Sequence, residues 1–255
     1  MTGGLLQLAA IGVQDLYLTG NPQVSLFKII YRRHTNFALE SVRQTFDGEV
    51  DFGKSVTTKI SRDGDLLHKI VLEIDLPEIV SQNGNTISWV NSIGHAMIDK
   101  IELYIGELLI DRHYGEWLEI WSELALDASK RDGYNNMISK YETFTTVKGP
   151  LTVFIPLQFW FCRNPGLALP LIALQYHEVR IDVDLASNFA SYCNTDTFKV
   201  WANYVYLDTE ERRRFAQKGH EYLIEQVQHT GSDTVTESAT KQVRLSYNHP
   251  VKELV

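Results

Sequence analysis

The stretch Leu67-His68-Lys69-Ile70-Val71-Leu72-Glu73-Ile74-Asp75-Leu76 alternates along its length. His68, Ile70, Leu72, Ile74 and Leu76 fall on one side and are nearly all apolar. Lys69, Val71, Glu73 and Asp75 fall on the other. A period of two over such a run marks a strand with one face on a core and one toward solvent. That pattern is the habit of antiparallel sheets, whereas parallel strands are buried on both faces.

The same period recurs on either side. Upstream, Val56-Thr57-Thr58-Lys59-Ile60 is β-branched and leads to Asp63-Gly64, a strong turn dipeptide. Before it, residues 37–46 read as a strand of imperfect alternation, closed by Asp47-Gly48. Downstream, Lys100–Ile105 and Leu108–His113 form a hairpin pattern around Gly106-Glu107. Further strands are expected at Leu151–Leu157, Tyr176–Leu185 and Phe198–Leu207. Eight strands without βαβ alternation predict an all-β, antiparallel jelly-roll sandwich with short helices in its loops.

Helical spacing interrupts this twice. Asn21-Pro22 is a helix-start signal, and Val24, Phe27, Ile30 and Tyr31 continue it, which predicts a helix over 22–32. Between Gly115 and Leu126, Trp117, Ile120, Trp121, Leu124 and Ala125 form one stripe. Residues 127–141 read as a polar excursion containing a helical turn, and Asn83-Gly84-Asn85 as a loop. A charged run, Asp208-Thr209-Glu210-Glu211-Arg212-Arg213-Arg214, looks like a boundary. Beyond it, 220–229 and 242–248 read as two strands. A two-stranded ribbon has almost no core, so these are expected to open a second domain that the sequence leaves incomplete.

The composition is that of an ordinary globular protein. The 255 residues carry 24 basic and 32 acidic side chains, a formal charge of −8. This balance argues against a protein that wraps nucleic acid, which needs clustered Lys and Arg. Cys162 and Cys193 are too few for a disulfide framework and are expected as free thiols. No uncharged stretch reaches the ~20 residues of a membrane-spanning helix. The apolar N-terminal arm lacks the basic region of a secretory signal. Leu5 and Leu6 in that arm could strap onto their own domain or dock on a neighbour or a membrane surface.

No catalytic constellation is legible. His34, His68, His95, His113, His177, His220, His229 and His249 include no His-x-His and no i, i+4 pair, so a metal site on a jelly roll is not expected. His113 and His177 are expected in structural roles. Asp63-Gly64-Asp65 makes a turn more simply than a calcium loop. Glu73/Asp75 and Asp182/Asp184 share strand faces and are expected to be solvated rather than to form a glycosidase pair. Arg212, Arg213 and Arg214 sit beside Glu210 and Glu211, which favours an ion-pair network within or between subunits. No Asn-x-Ser/Thr sequon is present.

Longer phrases carry a resemblance. They are Gln14-Asp15-Leu16-Tyr17-Leu18-Thr19-Gly20-Asn21-Pro22-Gln23, Tyr31-Arg32-Arg33-His34-Thr35-Asn36-Phe37, Ile60-Ser61-Arg62-Asp63-Gly64-Asp65 and Pro165-Gly166-Leu167-Ala168-Leu169-Pro170, the last continuing to Val179. The pattern resumes at Leu207-Asp208-Thr209-Glu210-Glu211-Arg212 and at His220–Gln226, and ends at Asn248-His249-Pro250. In this order the chain resembles the major capsid proteins of the large nucleo-cytoplasmic DNA viruses, the algal and amoebal branches most of all.

The resemblance implies a structural virion protein with two consecutive jelly rolls per chain. Three chains would form a capsomer of pseudo-sixfold outline, and capsomers would tile an icosahedral shell, assembled in the host cytoplasm. On this reading 1–26 is an N-terminal arm on the inner, membrane side. Residues 27–208 are the first jelly roll, 209–219 a linker, and 220–255 the start of a second. Interface residues would include Trp117, Trp121, Arg212, Arg213, Arg214, Leu5 and Leu6. Partners would be two further copies, neighbouring capsomers and minor capsid proteins, with no cofactor and no direct nucleic acid. Competing readings are a single-jelly-roll minor or vertex capsid protein, a sugar-binding jelly roll stacking on Trp89 or Trp160, and a glycoside hydrolase sandwich.

Overall fold

The computed structural model describes residues 12–13, 35–79, 88–141, 150–189, 197–232, 234, 240 and 242–255. The chain divides into two units, Met1–Asn36 and Phe37–Val255. The helix expected over 22–32, the arm residues Leu5 and Leu6, the loop at 83–85 and Cys193 lie outside the described residues.

Among the described residues the second unit has ten strands: β1 (Phe37–Gln44), β2 (Phe46–Asp47), β3 (Ser55–Lys59), β4 (Leu66–Leu76), β5 (Ile98–Ile105), β6 (Leu108–Tyr114), β7 (Leu151–Pro156), β8 (Leu169–Pro170), β9 (Val179–Leu185) and β10 (Thr197–Leu207). They form two five-stranded sheets. Sheet I runs β1-β10-β4-β7 with β8 added on β4, and sheet II runs β2-β3-β9-β5-β6. Every pairing is antiparallel.

Setting aside the two-residue pieces β2 and β8, eight strands remain, and the first pairs with the eighth, the second with the seventh, the third with the sixth and the fourth with the fifth. This is one antiparallel ribbon folded at the β5–β6 hairpin and rolled up, closed by the β10–β4 and β9–β5 pairings. The arrangement is the jelly roll.

The alternation of β4 is what places it at the centre of sheet I. Ile70, Leu72, Ile74 and Leu76 are at most 2% exposed, facing Val153 and Ile155 of β7 and Val200 and Ala202 of β10 in one continuous core. Val56, Ile101, Leu103, Ile181 and Val183 supply the facing layer from sheet II. Each such burial stabilises the fold by roughly 1.5–3 kcal/mol.

Several expectations are corrected. The strand read over 37–46 is two strands in different sheets. It leaves sheet I at Gln44 and joins β3 at Phe46, which is why its alternation breaks. Gln44 at the crossing is buried, and its Oε1 accepts from the N–H and hydroxyl of Ser61 at 2.8 Å each.

The polar excursion at 127–141 holds a full helix. The short helices are α1 (Ile93–Ala96), α2 (Gly115–Leu124), α3 (Ala128–Ile138), α4 (Trp160–Arg163) and α5 (Thr209–Gln217). α3 starts where Asp127 accepts from the N–H of Ser129 at 2.8 Å, and ends at Ser139 in the left-handed region. The charged run read as a boundary is itself helical, α5, with Glu210 and Glu211 in its first turn and Arg214 in its last, as the helix dipole favours.

The strands read at 220–229 and 242–248 do not form. Both stretches lack regular secondary structure. A strand exists only through a ladder partner, and the hydrogen bonds these stretches make run through side chains, such as Asn248 N–H to Gln228 Oε1 at 2.9 Å.

Candidate assembly surfaces

The Ile60–Asp65 phrase clamps three parts of the fold. Arg62 donates to the carbonyl of Leu174 at 2.9 Å. Asp65 is buried, its Oδ2 accepts from Leu207 N–H at 2.8 Å, and its Oδ1 lies 2.9 Å from Arg212 Nε. Asp63 takes the hydroxyl of Ser61. Both carboxylate oxygens of Asp65 and one of Asp63 are thus occupied within the chain. The arginine run behaves as an intramolecular network in part: Arg212 reaches Asp65, and Arg214 lies 3.6 Å from Glu211. Arg213 is exposed.

α1, α2 and α3 meet around one buried histidine. His95 is 2% exposed, its Nδ1 donates to Glu119 Oε2 at 2.6 Å, and its Nε2 lies 3.0 Å from the Tyr134 hydroxyl. Lys140 donates to Glu119 Oε1 at 2.6 Å. The His95 hydrogen bond foremost, with Lys140 beside it, outweighs burial and holds the Glu119 carboxyl down at about 2. Trp121 sits 6.3 Å from the Tyr134 ring, and Trp117 6.5 Å from His113.

The buried face of α2 is not the tryptophan stripe. Gly115, Leu118 and Ser122 face inward, while Trp117 and Trp121 are half-buried and Leu124 is 62% exposed. Gly115 sets this rotation. A Cβ there would lie 2.3 Å from the carbonyl oxygen of His95 and 2.5 Å from that of Ile98, so only glycine lets the helix start against that backbone.

The sugar-stacking surface expected from Trp89 and Trp160 is absent, because both rings are 4% exposed and belong to the core. A tryptophan gains most by burying its large ring, and Trp160 lies within the apolar run Phe159–Cys162, which is buried as a whole. Glu73 and Asp75 lie on the outer face of sheet I and Asp182 and Asp184 on that of sheet II, each beside a cation: Lys199 for the first pair, Arg180 and Lys100 for the second. Outer faces of a sandwich point apart, so the pairs share no cleft.

His113 is buried, stacked on Phe159 at 4.5 Å, with its Nε2 2.9 Å from Asp111 Oδ2 but out of line for a hydrogen bond. Cys162 is buried in the core, and burial pushes its thiol up to about 12. Among the described residues no group of three or more His, Cys, Asp or Glu is arranged to hold a metal, and no helix is long and apolar enough to cross a membrane.

Sequence reasoning missed Asp111 and Gly115, and read Gly64 and Asp65 only as parts of a turn. For Asp111 a signal existed: with His113 it places two polar groups on one face of a strand, where a core face would be apolar.

The fold defines the jelly-roll class, which includes viral capsid, lectin and cupin domains. The family model described as major capsid protein N-terminus matches residues 25–208, and that described as large eukaryotic DNA virus major capsid protein matches 211–255. The chain belongs to this family of viral major capsid proteins. It is 52% identical to the major capsid protein of Pyramimonas orientalis virus, over all of this chain and 65% of that protein. It is 46% identical to the major capsid protein of Paramecium bursaria Chlorella virus 1, over all of this chain and 60% of that one. The chain thus spans about three-fifths of the length of these relatives. Among solved structures, the quasi-atomic model of the PBCV-1 virus capsid superposes with a TM-score of 0.74 at 43% identity, covering 89% of this chain and 57% of that one. The Faustovirus major capsid protein shares the fold at 10% identity, with a TM-score of 0.59.

Proposed function

We propose that this chain forms the first jelly roll, and the opening of a second, in a major capsid protein whose homotrimers tile an icosahedral shell. The observation that carries the reading is the order of the two family matches, which meet between residues 208 and 211 at the start of α5. On this reading 1–26 is the arm, 27–208 the first jelly roll, 209–219 the linker and 220–255 the start of the second. The arm, with Leu5 and Leu6, runs on the inner side, toward the internal membrane. Assembly proceeds in the host cytoplasm, with neighbouring capsomers and minor capsid proteins as further partners.

Shell subunits need broad, partly apolar contacts rather than a deep pocket. The outer side of α2 supports such a contact, since half-buried Trp121 is flanked by Ile120 and Leu124, 36% and 62% exposed. We place α2 and α3 at the top or side of the capsomer, with Trp117 and Trp121 on that contact and the exposed Arg213 on another. A closed ring of three uses different faces of each subunit.

The test is mass spectrometry of purified virions. This polypeptide is expected among the most abundant species, and its recovery from infected-cell lysate but not from virions would overturn the proposal.

A further inference from the structure

β6 ends sheet II, so among the described residues one of its edges has no strand beside it. An open edge offers main-chain donors and acceptors to any chain that can pair with it, and natural sheets cover or block such edges. Here residues 226–230 run along β6. Gln226 Nε2 donates to the carbonyl of Ile110. The N–H of Val227 donates to Asp111 Oδ1 at 3.0 Å, and the same oxygen takes the N–H of Arg112 at 2.9 Å. His229 meets the ring of Tyr114 edge-on at 5.0 Å. Between strand and strap lies a groove of about 310 Å³, with Asp111 and Tyr114 on one wall and Val227, His229 and Tyr247 on the other.

Asp111 is unusual for an edge strand. It is 3% exposed, and burying a carboxylate is costly unless bonds replace its hydration. Its Oδ1 accepts two main-chain N–H groups, and one of them comes from the strap. A second contact pins the strap from another element: Arg163, at the end of α4, lies 3.0 Å from Glu225, which also takes Lys252. The strap is therefore fixed on both sides of Val227 without a ladder.

We propose that Asp111 carries a docking site for the main chain of residues 226–230, and that the docked strap closes the edge of sheet II against pairing with a second copy of the chain. The family match assigns 211–255 to the large eukaryotic DNA virus capsid model, so the same contact tethers the following part of the protein to the first jelly roll. This tether adds to the capsomer reading and rests on it for its role in the shell. The docking itself is tested on unassembled protein, so the two fail separately.

The discriminating variant is Val227→Pro in the full chain, which removes the donor N–H and leaves β6 untouched. Hydrogen exchange read by mass spectrometry is expected to be at least tenfold faster across 108–114 and 224–226 in the variant. Exchange across 70–76, in the central strand, stays as in the wild type. Light scattering is expected to show a mass that rises with concentration in the variant. Leu223→Pro, at a position 89% exposed, serves as the control and is expected to match the wild type. Unchanged protection of 108–114 in Val227→Pro, or the same loss in Leu223→Pro, would overturn the proposal.

Discussion

Gly64 lies flat against Tyr204. A Cβ at Gly64 would fall 2.5 Å from the Tyr204 Cβ and 2.9 Å from its Cγ. Tyr204 has no room to retreat, being 0% exposed, with its hydroxyl donating to the Ser61 carbonyl at 2.7 Å. The glycine of the turn and the tyrosine of β10 therefore fix each other. Gly64→Ala should destabilise the protein by about 1–3 kcal/mol, the range for overpacking a core. Chemical denaturation monitored by fluorescence would check this, and an unchanged midpoint would deny the contact its role.

Arg212 and Arg213 separate two kinds of surface charge. Arg212 answers the buried carboxylate of Asp65, so Arg212→Ala leaves a buried acceptor short of a partner and should cost about 1–2 kcal/mol. Arg213 is exposed on the same helix, and Arg213→Ala should stay within about 0.5 kcal/mol of the parent. Thermal unfolding of the two variants side by side distinguishes them.

The His95–Glu119 contact predicts a pH dependence. Glu119 ionises at about 2 in the folded chain against an ordinary 4.5, so the folded state binds this proton more weakly than the unfolded state does. The stability it contributes is present above pH 4.5 and is lost as pH falls toward 2. Solvent screening keeps it modest, because Glu119 is 35% exposed. Glu119→Gln should lower Tm at pH 7, and the gap to the parent should narrow below pH 4.5. A gap independent of pH would contradict the assignment.

Trp121 separates folding from assembly. It is half-buried beside Tyr134, and the exposed side chains around it offer an apolar contact to a neighbour. Trp121→Ala in the full-length protein should weaken the proposed trimer more than it lowers the Tm of the isolated chain. Sedimentation velocity and calorimetry together read the two effects. Unaltered trimer and unaltered Tm would remove Trp121 from the interface.

The core of sheet I was legible because β4 is central and antiparallel, so its inner face must be apolar and its outer face need not be. The same rule misled at 220–229 and 242–248, where alternation is present but no ladder forms: even Gln226–His229, which lie beside β6, bond to it through side chains. The face of α2 was illegible because the close approach of Gly115 to the His95 carbonyl, rather than the hydrophobic stripe, sets the helix rotation. Asp65 and Asp111 were illegible as anchors because each is bonded to chain far away in sequence, Leu207 and Val227. The long phrases that carry the family resemblance include the Ile60–Asp65 clamp and the Arg212 region it holds. Part of that resemblance therefore records the contacts between the jelly roll and α5.

In the proposed function this fold serves as one third of a capsomer. Light scattering of the purified full-length protein reads this in a single measurement. A mass of three chains, stable on dilution, is expected. A single-chain mass at every concentration would contradict it.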